Sequence, residues 1–217
     1  YFHRILARFI GLFFLIPLIY FYFSRKIRND YLNVCFLIFV LIIFQGVIGW
    51  FMVQSGLVND ITVSHYRLSI HLATAIIIIS SIYWLIMNAY SKKNKFFFSI
   101  SMQNLPFQML ILLILFQIIM GAFVSGLDAG KIYQTWPLMG TSYVPNDYSF
   151  INFQSLLKLD EHSLVQFYHR NLAYLIIIYV IFLSIFIYKK KMQNLYFTLK
   201  VLLIFLIFQV ILGIYTL

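Results

Sequence analysis

The sequence predicts an all-α integral membrane protein. It would be a polytopic helical bundle with six spans visible of an expected eight, arranged as two pseudo-symmetric four-helix repeats. Three observations point there. Of 217 residues, 63% are apolar and only 10% charged, where a soluble domain is about a quarter charged. The charges sit in short clusters that leave long uncharged runs, as bilayer-spanning helices require. Two segments of the first half recur in order in the second, the mark of a tandem repeat. This composition excludes a secreted disulfide scaffold, a soluble hydrolase and a nucleic-acid binder. The net charge of +10 fits loop lysines facing an anionic leaflet of the lipid bilayer. Cys35 is the single cysteine, so an intrachain disulfide is impossible.

A hydrocarbon core of about 30 Å needs about 20 helical residues. Six stretches meet this, roughly 4–23, 32–53, 67–87, 105–124, 168–188 and 196–217. The runs are continuously apolar rather than alternating, which favours helices over barrel strands. Pro17 lies mid-span as an expected kink, and Pro106 in a first turn, where proline is at home. Arg25, Lys26 and Arg28 follow the first span, Lys92, Lys93 and Lys95 the third, and Lys189, Lys190 and Lys191 the fifth. Nine of the 16 basic residues thus fill three alternate loops, which places those loops on the cytoplasmic or matrix side. Five of the six acids, Asp60, Asp128, Asp147, Asp160 and Glu161, lie in the opposite loops. The connector of roughly 125–166 is long for a segment without periodicity. Its Trp and Tyr content suggests that it lies on the bundle at the interface. The chain opens on Tyr1 and stops inside an apolar run, and is read as a piece of a longer protein.

Tyr1-Phe2-His3-Arg4-Ile5-Leu6-Ala7 resembles Phe167-Tyr168-His169-Arg170-Asn171-Leu172-Ala173, and Phe44-Gln45 with Gly49 resembles Phe208-Gln209 with Gly213. The first match joins the first span to the fifth, so the repeat unit is four spans. Residues 1–90 then hold the last three helices of the first repeat and 105–217 the first three of the second, all within one membrane domain, 1–217. The unseen last helix should carry a counterpart of His71.

Ionisable groups in spans are costly and usually functional. His3 and His169 open spans, and His71 lies about a turn into the third. Repeat logic pairs His3 with His71, and His169 with the unseen histidine. Two histidines on facing helices suit a haem clamp, with axial imidazoles on both sides of the iron. Arg4, Arg67 and Arg170 lie beside them at headgroup depth, where guanidinium forks suit propionates. A lone His-Arg at a span end is more often an interfacial anchor; recurrence at matching positions reverses this for His3, His71 and His169. His65 has no repeat partner and is read as a loop residue. Gln45, Gln117 and Gln209 each precede a glycine by four residues (Gly49, Gly121 and Gly213), which suits close interhelical contact.

FHRILARFIG (2–11), FQGVIGWFMVQSGL (44–57), VSHYRLSIHLATA (63–75), GAFVSGLDAGKIYQTWPLMG (121–140), QFYHRNLAY (166–174) and FQVILGIYTL (208–217) resemble the heme A synthase family, of the bacterial and mitochondrial type without the outer-loop cysteine pair. The resemblance implies an eight-helix pseudo-symmetric fold and an oxidoreductase that converts the C8 methyl of heme O to a formyl group, giving heme A for cytochrome oxidase. It implies that His3 and His71 serve the catalytic, substrate-haem site. His169 would ligate a cofactor heme b, with Arg4, Arg67 and Arg170 as cofactor-binding residues. The family's catalytic glutamate falls just before Tyr1 and its fourth histidine in a last helix, so this segment alone is expected to be inactive. Heme O synthase and an electron acceptor are the implied partners, with a homo-oligomer left open. The bacterial cytoplasmic membrane or the mitochondrial inner membrane is the implied location, with the haem sites toward the periplasmic or intermembrane side. The rival from the residues themselves is a bis-His b-type cytochrome that carries electrons and transforms nothing. A secondary transporter also fits repeats and intramembrane glutamines, but leaves the matched His-Arg pairs unexplained.

Overall fold

A computed structural model describes residues 2–56, 63–91, 102–147 and 153–217. Asp60, Lys92, Lys93 and Lys95, part of the charge pattern above, lie outside these residues. Six long helices account for most of the rest: α1 (Phe2–Ser24), α2 (Asn29–Gly56), α3 (His65–Ser91), α4 (Leu105–Gly126), α5 (His162–Lys189) and α6 (Tyr196–Tyr215). Each is long and apolar enough to cross a bilayer, and the chain is a multi-pass membrane protein. At 1.5 Å per residue, helices α2 and α5, of 28 residues each, run to roughly 42 Å, longer than the hydrocarbon core. Their ends therefore carry polar residues beyond the apolar stretch.

This extra length corrects two expectations. The fifth span begins at His162 rather than near 168, so His169 sits two turns inside α5 rather than at its start. His65 is the first residue of α3 and not part of the loop. In both places backbone hydrogen bonding carries the helix on past the apolar edge that hydropathy detects.

The chain divides into two compact units, Tyr1–Ser99 and Ile100–Leu217. In the first, α2 packs on both α1 and α3. Phe14 stacks on Phe39 between α1 and α2, with ring centroids 6.5 Å apart. Helix α1 continues through Pro17 and ends at Ser24, followed by Arg25 in the left-handed region (φ 51°). In the second unit α5 packs on both α4 and α6. Leu110 of α4, Ile176, Val180, Leu183 and Ile187 of α5, and Leu199 of α6 form its buried apolar core. Pro106 occupies the first turn of α4, as predicted, and its carbonyl accepts a hydrogen bond from the Tyr179 hydroxyl of α5 (2.9 Å). The core fixes α4 against α5 and sets which residues nearer their other ends come together.

Candidate functional site

In the first unit His71 projects from α3 onto α2. The approach is so close that a Cβ built on Gly49 would stand 3.0 Å from its Cε1, where ordinary contact begins at 3.4 Å. One turn earlier on the same face of α2, the Gln45 amide donates to the His71 backbone carbonyl (2.9 Å). The ring nitrogen Nδ1 of His71 is buried and has no hydrogen-bond partner. Arg67, one turn before His71, lies 3.9 Å from the centroid of the Phe51 ring, a cation–π contact. It also donates to the Phe51 carbonyl (3.3 Å). On α1, His3 and Arg4 are exposed.

The second unit repeats the arrangement on α4 and α5. A Cβ on Gly121 would stand 3.2 Å from Cε1 of His169. Gln117, one turn earlier on α4, places its amide 3.3 Å from Nε2 of the same ring. Here too Nδ1 is buried without a partner. Buried polar atoms are nearly always hydrogen-bonded, and an orphan costs the desolvation of that atom. Two orphaned imidazole nitrogens, each on a histidine singled out by the repeat, fit residues that coordinate an iron. The donor type agrees, because neutral imidazole is a usual axial ligand of haem.

What differs is the surroundings of the ring. The residues on either side of His169 tie down the long connector. Gln166 Nε2 donates to the carbonyls of Tyr133 (2.9 Å) and Gly130 (3.3 Å). Arg170 donates to those of Tyr133 (2.7 Å), Thr135 (2.8 Å) and Leu138 (3.4 Å). The terminal nitrogens of Arg170 are thus committed to the connector, and only its Nε, buried and without a hydrogen bond, remains. Further along, the Asp147 carboxylate accepts hydrogen bonds from the hydroxyls of Ser163 and Tyr133. Burial pushes this carboxyl up, but the two hydroxyl donors prevail and hold it below the usual carboxylate range. Burial and the Asp147 partner together raise the Tyr133 phenol. Ala129 and Met139 of the connector are almost wholly buried, whereas Trp136 is half exposed and Asp128 pairs with Lys131 at the surface (2.8 Å).

The sequence-predicted residues therefore fall into groups. His71 and Arg67 share one face of α3, and His169 and Arg170 are adjacent on α5. The residues that sequence reasoning treated only as packing, Gln45, Gly49, Gln117 and Gly121, stand directly against the two histidines. A signal for them existed: each Gln-x3-Gly lies on the helix that precedes a histidine-bearing one. A cleft of about 500 Å³ in the first unit, lined by Tyr31, Cys35 and Leu85 among others, lies toward the basic end of these helices. It carries no histidine, and we assign it no chemistry.

The family model of the cytochrome oxidase assembly proteins (COX15-CtaA) matches residues 1–217. The chain belongs to this family. Among curated members, the heme A synthase of Pelagibacter ubique is 43% identical over 220 residues, covering 100% of this chain and 63% of that protein. The heme A synthase of Wolbachia pipientis is 39% identical over 221 residues (100% and 61%), and that of Flavobacterium johnsoniae 35% over 223 residues (100% and 64%). The chain thus spans less than two thirds of the length of these cytochrome oxidase assembly proteins. No solved structure matches it.

Proposed function

We propose that this chain is the central part of a heme A synthase, an oxidoreductase that converts the C8 methyl of heme O to the formyl group of heme A. The observation that carries the reading is the pair of imidazoles, His71 and His169, each pressed against a glycine with a buried, unpartnered nitrogen. This supports haem ligation at the two positions, in a chain that heme A synthase relatives match over its whole length. In the proposal His3 and His71 hold the substrate heme O, and His169 is one ligand of a resident heme b. Arg4 and Arg67 would meet propionates, and Arg170 would contribute only through Nε. The other iron ligand of that heme b would be a histidine of a further helix, completing the second of two four-helix repeats. Positive-inside loops would place both sites toward the periplasmic or intermembrane face. The host membrane would be the bacterial cytoplasmic or mitochondrial inner membrane.

Oxidising an unactivated methyl needs a redox-active iron, which bound haem supplies and amino acids do not. The chain's own residues orient the ring ligands, exclude water by burial, and neutralise propionates. Conversion of the methyl to a formyl group takes its oxygen from water and releases protons and electrons. The electrons would pass to an acceptor outside this chain, and heme O would be delivered by heme O synthase or by free exchange in the bilayer.

The test is expression of the full-length protein in membranes that make heme O, with extracted haems separated by chromatography. Heme A should appear, and should vanish in His71→Ala. Haem b alone, with heme O unconverted in folded protein, would replace the synthase by an electron carrier.

A further inference from the structure

We propose that Gln45–Gly49 and Gln117–Gly121 are imidazole seats, positioning residues that fix the ring of the haem-ligating histidine on the next helix. The inference rests on the haem reading above and deepens it. It starts from a cost: glycine is a poor residue for a helix interior, so local helix stability does not explain its presence at 49 and 121. Both glycines instead face a histidine ring edge-on, at 3.0 and 3.2 Å from the position a Cβ would take. Any other residue would push the ring outward by a few tenths of an ångström. Gly46, on the same helix α2 as Gly49, has nothing within 4 Å, so proximity to a ring is specific to the seat position.

The glutamine one turn earlier completes the seat. Gln117 meets the ring itself at Nε2. Its amide suits either state of that nitrogen, since Nε2 of the amide donates to a bare ring nitrogen and Oε1 accepts from a protonated one. Gln45 instead holds the His71 backbone, fixing the turn from which the ring projects. In both glutamines Oε1 is buried without a partner, so each seat keeps an unused acceptor next to a histidine with an unused nitrogen. A ligating histidine ordinarily donates its second ring nitrogen to an acceptor, which sets the ring plane and the basicity of the ligand. Such contacts tune haem potentials.

The two seats also redefine the repeating element. Each consists of a Gln-x3-Gly helix followed by a histidine helix, α2 with α3 and α4 with α5. The smallest unit is therefore a helix pair, and a four-helix repeat contains two of them. Gln209 and Gly213 of α6 have the same spacing, but nothing lies within 4 Å of the Cβ position of Gly213, so among the described residues only Gly49 and Gly121 face a ring.

The test uses the full-length protein in membranes with its haems bound. His71→Ala and His169→Ala are the references, each expected to lose one haem from the difference spectrum. Gly49→Ala and Gly121→Ala are expected to keep haem but to shift the low-spin paramagnetic resonance signal and midpoint potential of the corresponding haem. Gly46→Ala, which makes the same gain in helix propensity, is expected to match the unaltered protein. Gln45→Leu and Gln117→Leu carry the same test should a glycine variant fail to accumulate, because leucine suits a membrane helix without moving the backbone. Unshifted signals in the seat variants, with haem lost in the histidine variants, would overturn the seats while leaving the haem reading in place. Haem content unchanged in His71→Ala and His169→Ala would instead overturn the haem reading itself.

Discussion

The two histidine centres share a helix-pair geometry and differ in what lies over them. At His71 the neighbouring arginine stacks on a phenylalanine of the adjoining helix, and the expected second ligand, His3, is exposed. At His169 the neighbouring arginine and glutamine are buried and bind the connector through four backbone carbonyls, those of Gly130, Tyr133, Thr135 and Leu138. A group that enters and leaves needs an open approach, and a resident one gains from a cover. Among the described residues, this contrast is the one the proposed assignment uses, with substrate haem at the first centre and resident haem at the second. Fold geometry alone, equal at both, would not separate them.

The largest effect should come from breaking this assignment with the ligands. His169→Ala should lose the resident heme b and with it all heme A formation. His71→Ala should lose heme A formation while heme b stays bound. Haem extraction from both variants, side by side in the same membranes, measures this. Equal loss of heme b in the two would mean that the centres are interchangeable and that the cover has no bearing on residence.

Next comes the cover. Arg170→Ala removes every terminal guanidinium bond to the connector; the Tyr133 carbonyl keeps Gln166 as a donor and the Leu138 carbonyl keeps the Thr135 hydroxyl, while the Thr135 carbonyl loses its donor. Hydrogen bonds to a charged group are worth about 1.5–3 kcal/mol each. Destabilisation of about 2–3 kcal/mol, well short of the sum, is expected because the Tyr133 and Leu138 carbonyls keep another donor. Arg170→Lys should rescue little, since one ammonium does not reproduce a planar fork. Amide exchange over residues 129–139 should accelerate in both variants. Unchanged exchange there would show that the connector is held by its own packing and not by Arg170.

These contrasts mark how far the sequence could be read. The spans were legible because hydrocarbon imposes a long uncharged run on any helix that crosses it. His3, His71 and His169 stood out because the repeat removes the accident of a lone interfacial histidine. Helix starts were less legible: His162-Ser163 and His65-Tyr66 belong to helices that outrun the apolar stretch, and hydropathy is blind to them. Gln45 and Gln117 were rightly read as interhelical. Their targets were not visible, because facing a particular ring depends on the rotation of both helices and a 20-residue hydropathy window carries no such information. Arg170 is the hardest case. Its carbonyl partners lie 32 to 37 residues away in the sequence, and nothing in a connector without periodicity says which carbonyls turn inward.

The smallest effect concerns the far end of the cover, where Asp147 joins Tyr133 to Ser163 at the start of α5. A carboxyl whose folded pKa is depressed adds stability above its unfolded value, about 3.9, and loses it as pH falls through the folded one. Asp147 is such a group, so its contribution is complete across neutral pH and fades only below about pH 4. Exposure screens the interaction and keeps it within about 1 kcal/mol. Asp147→Asn should therefore raise proteolysis of the connector slightly at neutral pH. The difference from the unaltered protein should shrink as the medium is made more acidic than that threshold. A difference that instead grows on acidification would mean that the protonated carboxyl holds Tyr133 and Ser163 better than the carboxylate does, and the sign of the linkage would be reversed.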